Sequence, residues 1–379
     1  MNKRGFILTL FAVAAALTGW IVYITAQTRQ PTPIENISVD WWGSAHANVK
    51  AEAFAHWNED EPPVVPVNCA KCHSGQAFLD YLGQDGSTAF KVDEPGVIES
   101  VVSCEVCHNP AADALTVAKF PSGVELAFTG SDALCATCHS GLTAGSRVDT
   151  NAKDIPDDHV MPEAGLVAPH YAFAAATLMG SDAKVGYEYS GQTYVGRFEH
   201  AAGVQTCTDC HDPHTLRMQV DPLTEKSQLC ATCHSNVTSF SDYRAVTVDG
   251  IDYDGDGKAE GIFHEIEGAQ EVLVKSMQTY ASKNLGKPLG FELGQFPYVF
   301  NDTNGDGTLS VDEKAFANAF KSFTPRLQRA AFNYMFSVKD PAGYVHNGKY
   351  VLQLIFDAVA DLRSVTGESG AILIRPVAD

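Results

Sequence analysis

One short pattern recurs five times in this chain: two cysteines separated by two residues and followed at once by a histidine. The copies use all ten cysteines, and they are Cys69/Cys72/His73, Cys104/Cys107/His108, Cys135/Cys138/His139, Cys207/Cys210/His211 and Cys230/Cys233/His234. This spacing lets both thiols bond to one porphyrin while the adjacent imidazole reaches its iron, so the pattern is the attachment signature of c-type haem. A zinc ribbon does not need that histidine, and a disulfide scaffold would not repeat one spacing. The sequence therefore predicts five covalently bound haems c.

Overall charge narrows the possible partners. The formal net charge is −20, and 19% of residues are charged against 45% hydrophobic. Such a chain is globular, and its negative charge disfavours nucleic acid and anionic membrane surfaces. A redox partner protein, an extracellular acceptor such as a mineral surface, or a second copy of the chain remain possible partners.

The N-terminus has the features of an export signal. Lys3 and Arg4 precede an apolar stretch from residue 6 to 24, and Ala26 offers a small residue for cleavage. An uncleaved membrane anchor over residues 1–26 is the alternative, because the stretch is about as long as a spanning helix. Both interpretations place the rest of the chain outside the cytoplasm, at the cell surface, in the periplasm or beyond. Residues 27–40 form a Pro-containing linker.

Residues 41–240 hold all the motifs and should be mostly loop with short α-helices wrapped around haems and minimal β-structure. The pattern predicts a short helix from Ser44 to Asn58, N-capped by Ser44. It also predicts a buried helix over 172–179 and a small hairpin over 187–195 with a Ser-Gly turn.

Residues 241–379 have a different character, with no cysteines and clear helical periodicity. Apolar stripes run along 266–280 and 351–359, and Pro325 stands where a helix would begin that runs to about Phe336. We expect an α-helical C-terminal subdomain whose stripes form core contacts.

Eight histidines outside the motifs could supply the sixth ligand of each iron. Local context favours six of them: His46, His56, His170, His200, His214 and His346. His159 and His264 stand among acidic residues and should be solvated or structural. Met161, Met179 and Met218 are less favoured alternatives, since Met also ligates haem iron. If every iron has two imidazoles, no substrate can reach a metal and the protein carries electrons.

Two acidic loops match calcium-binding patterns. The first offers oxygen donors in EF-hand spacing from Asp302, Asn304, Asp306, Thr308, Ser310 and Glu313, with a helix expected over 311–323. The second begins in the same way, with Asp252, Asp254, Asp256, Lys258 and Glu260, but its twelfth position is Phe263. Glu265 could substitute for the missing glutamate. One or two Ca²⁺ ions with a structural role are predicted, and the alternative is a solvated acidic turn.

The five motifs, together with Ser-Ala-His-Ala at 44–47, Cys-His-Asp-Pro-His at 210–214 and Tyr-Val-His-Asn-Gly-Lys-Tyr at 344–350, resemble multihaem c-type cytochromes of extracellular or periplasmic electron transfer. The resemblance implies closely packed, low-spin haems with two His ligands each, and no enzymatic activity. Some members polymerise into filaments in which one His crosses to the next subunit, and this would suit six candidates for five irons.

Two other cytochrome classes compete with this interpretation. Five-haem reductases of the nitrite or hydroxylamine type also bind calcium, but their catalytic haem usually has Lys in place of the motif His, and no motif here has Lys. A membrane-anchored quinol-oxidising cytochrome would fit an uncleaved N-terminus, but the soluble part of that class is usually shorter. A high-spin haem that binds ligands would favour the reductase.

Overall fold

The structure, a computed structural model, describes residues 32–200, 204–219, 233–247 and 249–378. The signal or anchor segment and Cys230 lie outside the described residues. The α-helices in chain order are α1 Pro33–Trp42, α2 Glu52–Ala55, α3 Val67–His73, α4 Gly75–Tyr81, α5 Cys104–Cys107, α6 Pro110–Asp113, α7 Asp132–Cys138, α8 Ser146–Asn151, α9 Ala174–Met179, α10 Cys207–Cys210, α11 Ile262–Leu285, α12 Pro325–Lys339 and α13 Gly343–Thr366.

Sheet structure in the described residues is confined to three antiparallel pairs of very short strands. The strands are β1 Val64–Val65 with β2 Gly96–Val97, β3 Val117–Lys119 with β4 Glu125–Ala127, and β5 Leu289–Phe291 with β6 Val299–Asn301. The chain is therefore mostly loop with short helices, as the sequence predicts.

In four motifs the structure describes both cysteines, and each of these motifs lies at the C-terminal end of a short helix. The second cysteine lies in the last turn of α3, α5, α7 or α10, and the histidine is the last helical residue or the one after it. His108, His139 and His211 each donate their backbone N–H to the carbonyl of the first cysteine of their motif, at 2.8 to 2.9 Å. One helical turn brings residues three and four apart to the same side, so both thiols and the imidazole point the same way.

The three long helices α11, α12 and α13 pack on one another through their apolar stripes. Ile266, Leu273 and Met277 of α11 are buried, as are Ile355 and Val359 of α13. Their core is continuous with buried side chains from residues 118–194, including Phe173 and Met179 on and beside α9. The helical region and the motif region thus share one core, and the boundary at residue 240 stays a prediction.

The predicted helix over residues 44–58 is wrong. The chain forms a 3-10 turn at Ala45–Ala47 and a separate single turn, α2. Asn48 interrupts the helix, because its side chain accepts the Lys50 N–H at 3.1 Å and Ala51 is extended. Ser44 makes no side-chain cap.

The predicted hairpin over residues 187–195 forms its turn but not its strands. Gly191 has a φ of +83°, which glycine adopts without strain. The flanking backbone bonds to side chains of the long helices instead: Tyr187 N donates to Asn333 Oδ1 at 2.9 Å, and Val195 N donates to Gln353 Oε1 at 2.8 Å.

The helix predicted over residues 311–323 is also wrong, so the first acidic loop is not part of a helix–loop–helix unit. Strand β6 precedes the loop, and two 3-10 turns, Asp312–Lys314 and Phe316–Asn318, follow it. Asn318 Nδ2 donates to the Glu313 carbonyl at 2.7 Å, which takes the acceptor that a continuing helix would use. The second loop is followed by α11.

Candidate functional site

One large cavity collects the residues of the motifs. Its volume is about 3180 Å³, several times the roughly 300–1,000 Å³ of an ordinary small-molecule pocket. All nine described cysteines line it, with eleven histidines: His46, His56, His73, His108, His139, His170, His200, His211, His214, His234 and His346. His159 and His264 do not line it. The cavity thus gathers the attachment residues that the structure describes and all six favoured histidines.

Four motif histidines each face one histidine from outside the motifs. The ring centroids are 5.9 Å apart for His73 and His170, 6.3 Å for His139 and His46, 6.2 Å for His108 and His214, and 6.2 Å for His234 and His200. Two imidazoles bonded to opposite sides of one metal at about 2.0 Å have centroids roughly 6 Å apart. The spacing of each pair therefore suits one iron between the rings.

The remaining motif histidine, His211 of the fourth motif, lies near His346. Both line the cavity, and the pKa of His211 is lowered first by burial and next by the charge of His346. His346 stands at the start of α13, where its Nδ1 contacts Asp340 Oδ2 at 2.8 Å. This contact leaves Nε2 as the ring nitrogen available to a metal.

His56 is the one favoured candidate without such a partner. Its Nδ1 contacts Glu52 Oε1 at 2.7 Å, its side chain is 59% exposed, and its ring packs on Trp57. No motif histidine makes a ring contact with His56 in the described part of the chain. His56 lies at the edge of the cavity and not in a histidine pair.

Backbone carbonyls orient two motif histidines. His73 Nδ1 donates to the Ala53 carbonyl at 2.7 Å, and His139 Nδ1 donates to the Ala172 carbonyl at 2.9 Å. Because a carbonyl can only accept, each ring carries its proton on Nδ1, and Nε2 keeps a lone pair. These are the orientations that a metal ligand needs.

Comparisons with known proteins agree with this chemistry. A family defined by a doubled CXXCH motif matches residues 200–239. The C-type polyheme cytochrome OmcB of Geobacter sulfurreducens is 29% identical over 381 residues, which cover 82% of this chain and 45% of OmcB. OmcC of the same species is 27% identical over 256 residues, covering 60% of this chain and 29% of OmcC. The chain is a multihaem c-type cytochrome.

The cytochrome spans less than half the length of the curated relatives that it matches. No solved structure matches it significantly. Within the described residues, no helix is both long enough and apolar enough to span a membrane.

The residues of the cytochrome fit haem c in their donor chemistry. Burial, with a smaller effect from His139, lowers the pKa of His46 to about 4, and burial also lowers the pKa of His139, His170 and His200. These imidazoles are therefore neutral near pH 7, and the neutral form is the one that binds a metal.

The third motif helix, α7, touches two others. Cys138 Sγ lies 3.8 Å from the Lys71 carbonyl oxygen of α3, and Cys72 Sγ lies 4.0 Å from the Cys138 carbonyl oxygen. On the other side, Cys207 N of α10 donates to Asp132 Oδ1 of α7 at 3.0 Å. Attachment cysteines of the first, third and fourth motifs are thus side by side, and α7 lies between the other two helices.

The two acidic loops have the same internal hydrogen bonds. Asp302 accepts the N–H groups of Gly305 and Gly307, and Asp252 accepts those of Gly255 and Gly257, all at 2.7 to 2.8 Å. A buried glutamate closes each loop. Glu313 accepts from Thr303 N and Ser310 N, and Glu265 accepts from Tyr253 N and Glu260 N at the equivalent positions.

Glu265 therefore occupies in the second loop the place that Glu313 has in the first. The carboxylates of Asp252, Asp254 and Asp256 offer ligand atoms within 4.8 Å of one another. Lys258 and Glu260 stay predicted ligands of this loop: the Lys258 Nζ pairs with Asp256 Oδ2 at 3.2 Å, and the Glu260 N–H donates to Glu265 Oε1 at 2.7 Å.

Sequence reasoning missed several residues around the cavity. Trp57 packs its ring edge on His73 at 5.3 Å, and Trp41 Nε1 donates to the Val102 carbonyl at 2.9 Å. Lys339 Nζ lies 4.4 Å and 4.2 Å above the rings of Tyr171 and Tyr298. Trp41 stands five residues before His46 and Trp57 directly follows His56 in the sequence, which is a usable signal. Nothing in the sequence connects Lys339 with two distant tyrosines.

Proposed function

We propose that this cytochrome transfers electrons through five haems c, each with two histidine ligands. The pairs are His73 with His170, His108 with His214, His139 with His46, His211 with His346, and His234 with His200. The observation that carries the proposal is the separation of about 6 Å between ring centroids in four of the five pairs.

Haem c supplies an iron that changes oxidation state by one electron without making or breaking bonds. The residues of the protein attach the haems, ligate the irons and orient the ligands. Motif cysteines hold each group covalently, paired imidazoles fill both axial positions, and carbonyls such as those of Ala53 and Ala172 fix ring orientation. With both positions filled by protein, a small substrate has no access to the metal, which supports a carrier over a reductase.

Electron paramagnetic resonance of the ferric protein tests this function, with haem number determined by pyridine haemochrome. Five haems, all low-spin, are expected. A high-spin haem whose signal changes on addition of nitrite or hydroxylamine would contradict the proposal and favour the reductase.

We further propose that the two acidic loops bind Ca²⁺. Carboxylate oxygens are the ligands that this hard cation prefers, and Glu313 and Glu265 are buried against their loops. Calcium would hold residues 252–265 and 302–313 in place beside the long helices. Isothermal titration of calcium into chelator-treated protein should show two binding events, and no heat of binding would contradict the assignment.

The N-terminal export pattern supports a location outside the cytoplasm. The partners there would be redox proteins or extracellular acceptors. Self-association is included because His56, a sixth candidate ligand, is exposed. Cell fractionation tests the location. Sedimentation velocity of wild type and His56→Ala tests self-association through His56, because only the wild type should then form oligomers.

A further inference from the structure

A buried carboxylate contacts one of the proposed axial ligands. Asp340 is 6% exposed, and its Oδ2 lies 2.8 Å from His346 Nδ1. His346 lines the cavity near His211. Because the carboxylate can only accept in this contact when ionised, His346 carries its proton on Nδ1 and directs Nε2 away from Asp340.

The local fold holds both partners of this contact. Asp340 ends α12, its Oδ1 accepts the Ala342 N–H at 3.2 Å, and its carbonyl accepts the Gly343 N–H at 2.9 Å. The His346 N–H donates to the Ala342 carbonyl at 3.0 Å. The junction between α12 and α13 therefore fixes the carboxylate and the imidazole relative to each other.

The chain on the C-terminal side of His346 is held by a kink in α13. Asn347 has extended backbone, with φ −169° and ψ 75°, and its Nδ2 donates to the Gly196 carbonyl at 2.9 Å. Asn347 is fully buried. The single turn that holds His346 is thereby turned away from the axis of the rest of α13 and attached to the motif region.

This contact differs in charge from those of the other oriented histidines. His73 and His139 donate to neutral backbone carbonyls. A carboxylate is a stronger acceptor, and a carboxylate behind a metal-bound histidine increases the basicity of that ligand. An electron-rich axial ligand stabilises ferric over ferrous iron, since the ferric ion carries the larger positive charge.

We propose that Asp340 is a positioning residue that holds His346 and strengthens it as an axial donor, so that the haem of the fourth motif has a lower reduction potential than it would with a neutral partner. The inference rests on the proposed function, because it requires His346 to ligate that iron. The affected step is the uptake of one electron by ferric iron from a reductant, with no bond made or broken and no proton transferred.

The test is a spectroelectrochemical titration of the full-length holoprotein, wild type against Asp340→Asn, with dithionite as reductant. Asparagine keeps the shape and an acceptor oxygen but removes the charge. One of the five potentials should rise by about 59 mV, which corresponds to a tenfold change in a one-electron equilibrium constant, the lower end of effects seen for such partners. Low-spin resonance should be retained, with altered g-values for one haem.

Glu52→Gln is the matched control. Glu52 contacts His56 Nδ1 at 2.7 Å and also lines the cavity, but His56 faces no motif histidine within the described residues. Removing this carboxylate should leave all five reduction potentials unchanged. An equal shift in Glu52→Gln, or no shift in Asp340→Asn with low spin retained, would overturn the inference.

If one haem of Asp340→Asn becomes high-spin, the same spectrum is measured for Asp340→Glu, which keeps a carboxylate at this position. Low spin restored by glutamate supports the carboxylate as the group that holds His346, and high spin in both variants overturns it. Failure of the proposed function is visible separately, because a wild-type protein that already contains a high-spin haem, or His346→Ala protein in which every haem stays low-spin, refutes the ligand assignment before Asp340 is considered.

Discussion

His46 and His56 lie on the same stretch before the first motif, yet their surroundings differ. His46 is half-buried and its ring faces His139, whereas His56 is mostly exposed and contacts Glu52. The difference arises at Asn48, which ends the 3-10 turn that carries His46 before α2 begins. A single residue at a turn thus separates a histidine that faces a motif histidine from one that does not.

Replacing these two histidines should therefore have different effects. His46→Ala is expected to convert one low-spin haem to high spin, because His139 would lose the imidazole that faces it. His56→Ala should leave every haem low-spin. Ferric electron paramagnetic resonance of both variants measures this, and a high-spin signal in His56→Ala alone would reverse the assignment.

At this scale, the sequence predicts much of the candidate site. The spacing of cysteine and histidine predicts the attachment residues, and local context favours His46, His170, His200, His214 and His346, all of which line the cavity. It does not set His56 apart, because both it and His46 lie within a few residues of a tryptophan. Their separation depends on a turn at Asn48 that helical periodicity does not reveal.

At the scale of elements, the second acidic loop shows how a helix can compensate for a missing residue. Phe263 occupies the position where an EF-hand has glutamate. Helix α11 begins at Ile262, and Glu265 in its first turn reaches back to accept the N–H groups of Tyr253 and Glu260. Sequence spacing alone is a poor guide here, because the helix start changes which residue faces the loop.

Gly268 on α11 provides a test of this loop. A methyl group at Gly268 would overlap the Asp254 carboxylate, so Gly268→Ala should displace Asp254 and weaken the second calcium site. We expect one of two binding events in calorimetry to lose at least tenfold in affinity. The loop over residues 302–313 is the internal control, and an unchanged second event would contradict the role of Asp254.

Helix α12 contains a buried amide without a partner. Gln328 is fully buried, and neither its Nε2 nor its Oε1 makes a hydrogen bond within the described residues. Gln328→Met should therefore increase the free energy of unfolding by about 1 kcal/mol, since an unpaired buried polar group is destabilising. Urea denaturation measures the change.

Asn333 on the same helix is the control for this substitution. Its amide donates to the carbonyls of Tyr187 and Leu354 and accepts the Tyr187 N–H. Asn333→Leu should lower the free energy of unfolding by about 2 kcal/mol or more, because it leaves the Tyr187 N–H and carbonyl without their side-chain partner. A loss of stability in Gln328→Met would refute the argument.

At the scale of the whole molecule, an ion-pair cluster joins the motif region to the long helices. Arg326 of α12 donates to Asp158 at 2.8 Å and also pairs with Asp361 of α13, while Arg329 pairs with Asp157. Hydrogen bonds from Arg329 and Arg326 lower the pKa of Asp157 and Asp158, respectively. The cluster lies where two parts of the chain that are distant in sequence meet.

Stability should therefore fall in acid. A carboxyl whose pKa is lowered by folding stabilises the folded state above its usual pKa of about 3.8, and this contribution is lost as the pH falls through the lowered value. Asp158→Asn should lower the free energy of unfolding at pH 7 by about 1 kcal/mol, a value reduced for solvent exposure. The free energy of unfolding of this variant should also fall less steeply than that of the wild type as the pH is lowered.

Asp154→Asn, at an exposed position nearby, is the control for this effect and should leave the stability profile unchanged. Unfolding curves between pH 2 and pH 7 measure all three proteins. Identical pH profiles for wild type and Asp158→Asn would exclude Asp158 as a source of acid sensitivity.

The sequence predicts two regions of different character, but it does not reveal that they share one core. Apolar residues between 118 and 194, such as Phe173 and Val185, are expected from the sequence to surround haem, and the structure packs them with α11, α12 and α13. Apolar side chains can bury themselves against porphyrin or against other side chains with the same pattern. Only the tertiary arrangement separates the two cases.

If the chain is exported from its N-terminus, as proposed, the proposed histidine pairs also imply an order of assembly. Under these pairings, the third and fifth motifs meet ligands that have already emerged, His46 and His200, whereas the first and second wait for His170 and His214. The fourth motif, at residue 211, waits longest, because His346 arrives only with the final helix. A chain cut off before that helix would carry its fourth cofactor attached but with one axial position unfilled.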